Sequence, residues 1–245
     1  MAGSTDATTV ALIAAAGSGA RLGAGGPKAL VELRGRPLVA WCLDAFAAAR
    51  SVERAVIAAP PGHEAPFAAL APDGLEIEVV AGGETRSESV AAALERAGDA
   101  DLVAVHDAAR PLVRAELIDA IVARLAGRPD AAAVIAAAPL TDTVKRAREP
   151  RPAKGEFPRG GPTVAKTESR DHLWAAQTPQ VFRAGALRGA LAADPQRVAA
   201  ATDDAMLIEK AGGKVLIEPA PGENLKVTTA EDLRIAALLL AERGR

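Results

Sequence analysis

The stretch "AAAGSGARLGAGGPKAL", residues 14–30, carries an arginine and a lysine with no acidic residue between them. Ala15, Ala16, Gly17 and Gly19 are small enough for the backbone to come close to a ligand. Successive N–H groups in such a turn form an anion-binding concavity. Arg21 can grip phosphate oxygens in a fork, while Lys28 acts as a movable point charge. Two phosphate motifs fail here on spacing. The dinucleotide fingerprint G-x-G-x-x-G meets Leu22 at its third glycine, and a P-loop needs G-K-[ST] where Lys28 lies between Pro27 and Ala29.

Two more clusters share this chemistry. In "AGGETRSESV" (81–90), Gly82 and Gly83 again permit close approach. Arg86 and Ser89 then open a helix whose N-terminus favours an anion. In "LVAVHDAARPLV" (102–113), an apolar strand ends in His106 and Asp107, followed by Arg110. Asp107 supplies the hard oxygen that Mg²⁺ takes alongside substrate phosphates, and Arg110 suits a second anion. His106 reads as a structural hydrogen-bonding residue, because transfer to an already ionised phosphate needs no base. His63, His106 and His172 show no zinc-ligand spacing. Lys226 adds a third cation before the last helix. Asp203 and Asp204 in "TDDAM" read as charges on a helix N-terminus.

The elements that must hold these groups are short apolar runs at 9–14, 54–59, 76–81, 102–107, 132–137 and 214–219. Alanine-rich stretches of helical spacing lie between them, among them 37–50, 86–97, 115–125 and 203–211. A final helix runs over 230–243, with Thr228 or Thr229 as its N-cap. Such alternation predicts an α/β chain with a mostly parallel sheet covered by helices on both faces. Ligands then gather at the carboxyl ends of the strands. One segment, 142–170, breaks the rhythm with four prolines, three glycines and eight basic against four acidic residues. Its ends, "DTVKR" and "TVAKTE", predict the two strands of a projecting hairpin around a solvated middle.

Composition narrows the function. The 245 residues carry a net charge of −2, so no global basic field exists for a polyanion. Aromatics make up 2%, with no tyrosine, which leaves little to stack on nucleic-acid bases. Cys42 is the sole cysteine, so no intrachain disulfide forms. The amino terminus shows neither signal-peptide nor membrane-span character. The expectation is a single cytoplasmic domain over 1–245 that binds neither nucleic acid nor membrane.

Taken in order, "AAAGSGARLGAGGPKAL", "GGETRSESV", "HDAARPLV", "DTVKR", "LWAAQTPQ", "TDDA" and "NLKVTTAEDL" resemble the 2-C-methyl-D-erythritol 4-phosphate cytidylyltransferases of non-mevalonate isoprenoid biosynthesis. The resemblance spans nearly the whole chain; the first loop alone marks only a wider nucleotidyltransferase group. It implies a Rossmann-like nucleotide-diphospho-sugar transferase fold with a projecting β-arm. It implies cytidylyl transfer from CTP to methylerythritol phosphate, with Mg²⁺, and a homodimer joined through the arm at about 142–170. By position, Ala15, Ala16, Gly17, Gly19, Arg21 and Lys28 would hold the CTP phosphates, and Gly83, Arg86 and Ser89 would frame the cytidine. Arg21, Lys28 and Lys226 would be the catalytic cations. Asp107 would serve metal and substrate, while Arg110, Thr143, Arg170, Thr178 and Lys226 would address methylerythritol phosphate. Thr143 and Arg170 would reach a neighbour's site from the arm. The stretch within 146–166 is longer and richer in proline than the compact arm of the family, and Glu223 stands where an aspartate is expected. Rival readings are a cytidylyltransferase for another polyol phosphate such as ribitol 5-phosphate, a nucleotide-binding regulator without catalysis, and a nicotinamide oxidoreductase, whose fingerprint fails at Leu22.

Overall fold

The computed structural model describes residues 7–19, 25–149 and 161–243. In chain order its strands are β1 (Thr9–Ala14), β2 (Glu32–Leu33), β3 (Arg36–Pro37), β4 (Arg54–Ala59), β5 (Glu76–Ala81), β6 (Leu102–Asp107), β7 (Ala133–Pro139), β8 (Lys145–Ala147), β9 (Val164–Thr167), β10 (Trp174–Arg183) and β11 (Val215–Pro219). The helices are α1 (Leu38–Ala48), α2 (Glu64–Ala68), α3 (Arg86–Glu95), α4 (Ala115–Ala126), α5 (Ala184–Leu191), α6 (Pro195–Ala199), α7 (Asp204–Lys210) and α8 (Ala230–Arg243).

Seven strands form one sheet in the order β11-β7-β10-β6-β1-β4-β5. β1 pairs in parallel with β4 and β6, β4 with β5, and β7 with β11. Strand alternation explains the near-continuous apolar runs, since both faces are covered. Ala11 and Ile13 of β1 point into a core formed with Val39, Leu43 and Phe46 of α1 and Ile118, Ile121 and Leu125 of α4. Val10 and Leu12 point the other way, toward Val90 and Leu94 of α3, Leu187 of α5 and Leu207 and Ile208 of α7. A smaller cluster of Leu33, Leu38, Leu112, Val227 and Ala236 seats α8. Thr229 caps α8 by accepting from the Asp232 N–H at 3.1 Å, and the Asp232 carboxylate answers the N–H groups of Thr228 and Thr229 at 2.8 Å each.

β10 is the departure from the sequence reading. It runs antiparallel between β6 and β7, in a segment whose Gln177, Thr178, Pro179 and Gln180 carry no strand pattern. Proline ordinarily argues against an interior strand. Here Pro179 falls within a register shift between Ala176 and Gln180, where no ladder bond is asked of it, and the Thr178–Pro179 peptide is cis. The expected hairpin is present: β8 pairs antiparallel with β9, Lys145 opposite Thr167. Beyond it, Glu149 accepts from the Thr163 N–H at 2.8 Å and hydroxyl at 2.9 Å.

Candidate active site

The carboxyl ends of β1 and β6 adjoin because the strands pair directly, Ala14 beside Asp107. A cleft of about 360 Å³ opens there. The first loop forms one wall. The Lys28 N–H donates to the Gly17 carbonyl at 3.0 Å, which brings the two described ends of the loop together. Gly19 needs its missing side chain twice over: its φ is +69°, and a Cβ would lie 3.1 Å from the Lys28 Cα. Gly82 ties the second cluster to the first, since a Cβ there would lie 2.8 Å from the Ala16 Cβ.

The opposite wall is the start of α3. Thr85 accepts from the Glu88 N–H at 3.1 Å, and the Glu88 carboxylate returns to the Thr85 N–H at 3.3 Å. The buried Ser89 hydroxyl donates to the Thr85 carbonyl at 2.9 Å and accepts from the Gly83 N–H at 3.2 Å. Gly83 is thereby fixed at the rim.

Charges converge on the floor. Asp107 Oδ1 accepts from Arg86 Nε at 2.9 Å, and Asp107 Oδ2 from Lys226 Nζ at 2.7 Å. Burial alone would raise the Asp107 pKa, but the Arg86 and Lys226 charges outweigh it and hold the carboxyl well below the usual range. It is ionised at neutral pH. The Arg86 guanidinium reaches a second carboxylate, with Nη1 to Asp204 Oδ2 at 2.6 Å. Burial pushes Asp204 upward against the pull of Arg86.

Behind the floor runs a chain of hydrogen bonds. The Asp107 N–H donates to Thr178 Oγ1 at 3.1 Å, and the Thr178 hydroxyl meets His106 Nδ1 at 3.0 Å. His106 Nε2 lies 3.3 Å from the Arg110 carbonyl, which can only accept. That contact assigns the proton to Nε2 and leaves Nδ1 to accept from Thr178. Burial drives the His106 pKa down to about 4, so the ring is neutral at pH 7. Phe46 packs edge-on against it, with ring centroids 5.3 Å apart. Arg110 Nη1 donates to the Asn224 carbonyl at 2.8 Å, while its buried Nε has no partner among the described residues. Asn224 Nδ2 donates to Gln177 Oε1 at 2.8 Å and to the Thr178 carbonyl at 2.9 Å.

Ala15, Ala16, Gly17, Gly19, Lys28, Gly83, Arg86, Ser89, Asp107 and Lys226 all line the cleft. Arg21 lies outside the described residues. Thr178 is buried behind the floor with its hydroxyl engaged by Asp107 and His106, so in this arrangement it steadies Asp107. Arg110 also stands outside the cleft lining, its guanidinium donating to the Asn224 and Ala176 carbonyls. Thr143 and Arg170 are exposed at the base of the arm, where Arg170 donates to the Thr141 carbonyl, and neither lines this cleft. Asp203 is the N-cap of α7, accepting from the Met206 N–H at 2.9 Å. Asp204 does more than the helix-charge reading gave it, and Gln177 and Asn224 carried no role in the sequence at all. The second aspartate of "TDDA", beyond the one needed as a cap, was the available signal.

A cation fits this floor as one that arrives on phosphates. Among the described residues no three His, Cys, Asp or Glu side chains gather as a metal cage. Of those described residues, Asp107 is the one carboxylate lining this floor with a pKa held low. Its two oxygens already bond Arg86 and Lys226, so Mg²⁺ there would depend chiefly on substrate phosphates to complete its shell.

Residues 9–242 match the family model described as 2-C-methyl-D-erythritol 4-phosphate cytidylyltransferase. A protein of that name from Streptomyces avermitilis is 43% identical over 97% of this chain and 93% of its own length. Another, from Synechococcus, is 42% identical over 95% of this chain and 99% of its own. The crystal structure of 2-C-methyl-D-erythritol 4-phosphate cytidylyltransferase from Thermus thermophilus superposes with a TM-score of 0.73 at 31% identity, covering 96% of this chain and 99% of that one.

Proposed function

Because the chain belongs to the 2-C-methyl-D-erythritol 4-phosphate cytidylyltransferase family, and so transfers a cytidylyl group from CTP to 2-C-methyl-D-erythritol 4-phosphate with loss of pyrophosphate, we propose that the cleft between β1 and β6 is where the transfer occurs. The observation that carries this reading is Asp107, bonded on its two oxygens by Arg86 and Lys226 in the cleft that Gly17, Gly19 and Lys28 also line.

The acceptor phosphate oxygen bonds to the α-phosphorus, and the bond from that phosphorus to the bridging oxygen breaks. Pyrophosphate leaves with the electron pair. The nucleophile is already an anion, so the protein's task is to bring two polyanions together, orient them and stabilise the charge of the transition state. Backbone N–H groups of the 15–19 loop hold the triphosphate. Lys28, with Arg21, stabilises charge at the α-phosphorus. Lys226 and Arg110 receive the acceptor phosphate. Gly83 and Ser89 frame the nucleoside. Asp107 would help hold Mg²⁺ carried in by the triphosphate, through lone pairs left beside its bonds to Arg86 and Lys226, and the ion would neutralise phosphate charge there. Thr178 keeps Asp107 in place.

The arm supports a dimer reading. Every residue of β8 and β9 is exposed, and Val164 is 56% exposed. We place the partner against this hairpin, with Thr143 and Arg170 facing the partner's cleft. Among the described residues no helix is long and apolar enough to cross a membrane.

Pyrophosphate release by the purified protein tests the site. Release is expected with CTP and methylerythritol phosphate, and not with ATP, GTP, UTP or ribitol 5-phosphate. Asp107→Asn is expected to abolish most of it. Full activity in Asp107→Asn would remove this cleft from the mechanism.

A further inference from the structure

Arg86 stands in an electrostatically poor place. It is the first residue of α3, where the helix dipole favours an anion. Its side chain is only 26% exposed, and its Nη2 is buried without a hydrogen-bond partner. Helix stability does not explain a cation there. The two carboxylates around it do: Asp107 takes Nε at 2.9 Å and Asp204 takes Nη1 at 2.6 Å.

Asp204 is held for this contact. It is 0% exposed on the first turn of α7. The neighbouring Asp203 caps that helix and accepts from Gln180 Nε2 at 3.0 Å, which ties α7 to β10 beside β6. Among the described residues, Arg86 is the only hydrogen-bond partner of the Asp204 carboxylate, and its other oxygen, Oδ1, has none. A buried carboxylate committed to one guanidinium is costly to maintain unless the pair is well placed.

We infer that Asp204 is a positioning residue for the cytidylyl transfer, clamping Arg86 so that the guanidinium stays on Asp107 when the triphosphate enters. A guanidinium tethered to Asp107 alone would be drawn onto the incoming phosphates, because arginine forks bind phosphate as readily as carboxylate. Asp204 opposes that swing from behind. Arg86 then keeps one oxygen of Asp107 occupied and oriented while Lys226 holds the other. Arg86 thus acts through Asp107 rather than on the nucleoside. The inference rests on the cleft being the site of transfer.

A double-mutant cycle tests it. Asp204→Asn keeps the shape and an acceptor but not the charge, and is expected to lower kcat about tenfold. The KM for CTP should stay within about threefold, as befits loss of orientation rather than of binding. Arg86→Gln should lower kcat at least as much, and adding Asp204→Asn to it should cost nothing further. Thermal melts accompany each variant. Asp204→Ser, which also removes the charge, replaces Asn in the cycle and carries the same expectations if Asn does not fold, and Asp204→Glu, which restores a carboxylate, should recover kcat toward the parent. The clamp is overturned if Asp204→Asn keeps kcat within twofold of the parent. It is equally overturned if the two losses multiply in full. Should Asp107→Asn stay active, the cleft reading fails instead; a crippled Asp107→Asn beside an unaffected Asp204→Asn fails the clamp alone.

Discussion

At the carboxyl end of β6 two buried carboxylates are answered by the half-buried Arg86 and the more open Lys226; on the β8–β9 arm the cations stand in water around one carboxylate. Asp107 and Asp204 are 10% and 0% exposed at their side chains and face Arg86 and Lys226. On the arm, Glu168 pairs with Arg146 and Lys166, whose side chains are 66% and 59% exposed. Buried ion pairs are weak evidence for stability, because desolvation offsets much of the attraction. Exposed ones contribute about 0–1 kcal/mol each. The two regions therefore differ in what maintains them. The floor is kept by a parallel sheet packed on both faces and is ready before any ligand arrives. The arm is exposed along both strands and is held by its own ladder and side-chain hydrogen bonds.

The largest expected effect lies on the floor side. Lys28→Ala should lower kcat about 10²–10³-fold, the loss typical of a donor aimed at transition-state charge. The KM for CTP should rise much less. An unchanged kcat with a raised KM would make Lys28 a binding residue only, and the cleft would then hold the triphosphate without helping to break it.

The same contrast governs what the sequence could disclose. Strands buried on both faces read directly as apolar runs, so β1, β4, β5, β6, β7 and β11 were legible to within about two residues. Glycine loops and strand-end cations were legible as residues following apolar strands, whose carboxyl ends mark the ligand edge, and it was their order along the chain, through resemblance, that joined them into one site. β10 was not, because Gln177, Thr178, Pro179 and Gln180 look like loop residues until a register shift excuses the proline. Asp204 was not, because an acid in the first turn of a helix already has a sufficient local reason. Its contact with Arg86 spans 118 positions, and no local pattern reports it. Thr178 is placed on the substrate by resemblance, and its hydroxyl contacts with Asp107 and His106, across 71 and 72 positions, are reported by no local pattern.

A second test sharpens the claim that the floor is built in advance. His106 is held down at about 4 by burial, against 6.5 for the free side chain. The unfolded chain then binds the extra proton between those values, and the folded one does not. Stability is complete above about pH 6.5 and falls as pH drops toward 4, by on the order of 3 kcal/mol from this residue. Asp204, whose pKa is raised, works with the opposite sign, so the comparison must be with a variant. Urea midpoints of His106→Gln should fall less steeply over pH 6.5 to 4 than those of the parent. Equal slopes would mean that the ring is not buried neutral.

The arm should respond to a different kind of change. Val164→Asp places a charge on its most exposed apolar side chain. Sedimentation should show a weakened dimer while the melting of the monomer's core is unaltered. A dimer of undiminished strength would move the interface elsewhere.

The smallest effect is expected from the arm's own ion pair. Arg146→Ala removes the contact with Glu168, yet Lys166 remains beside that carboxylate at 2.9 Å. Both cations are well exposed, so salt and water already screen them. The loss should be at most about 0.5 kcal/mol in a denaturant titration. It should shrink further in high salt. A loss of several kcal/mol would place Glu168 in a low-dielectric setting that the monomer does not provide. The partner would then cover the pair, and the arm would resemble the floor in how its charges are kept.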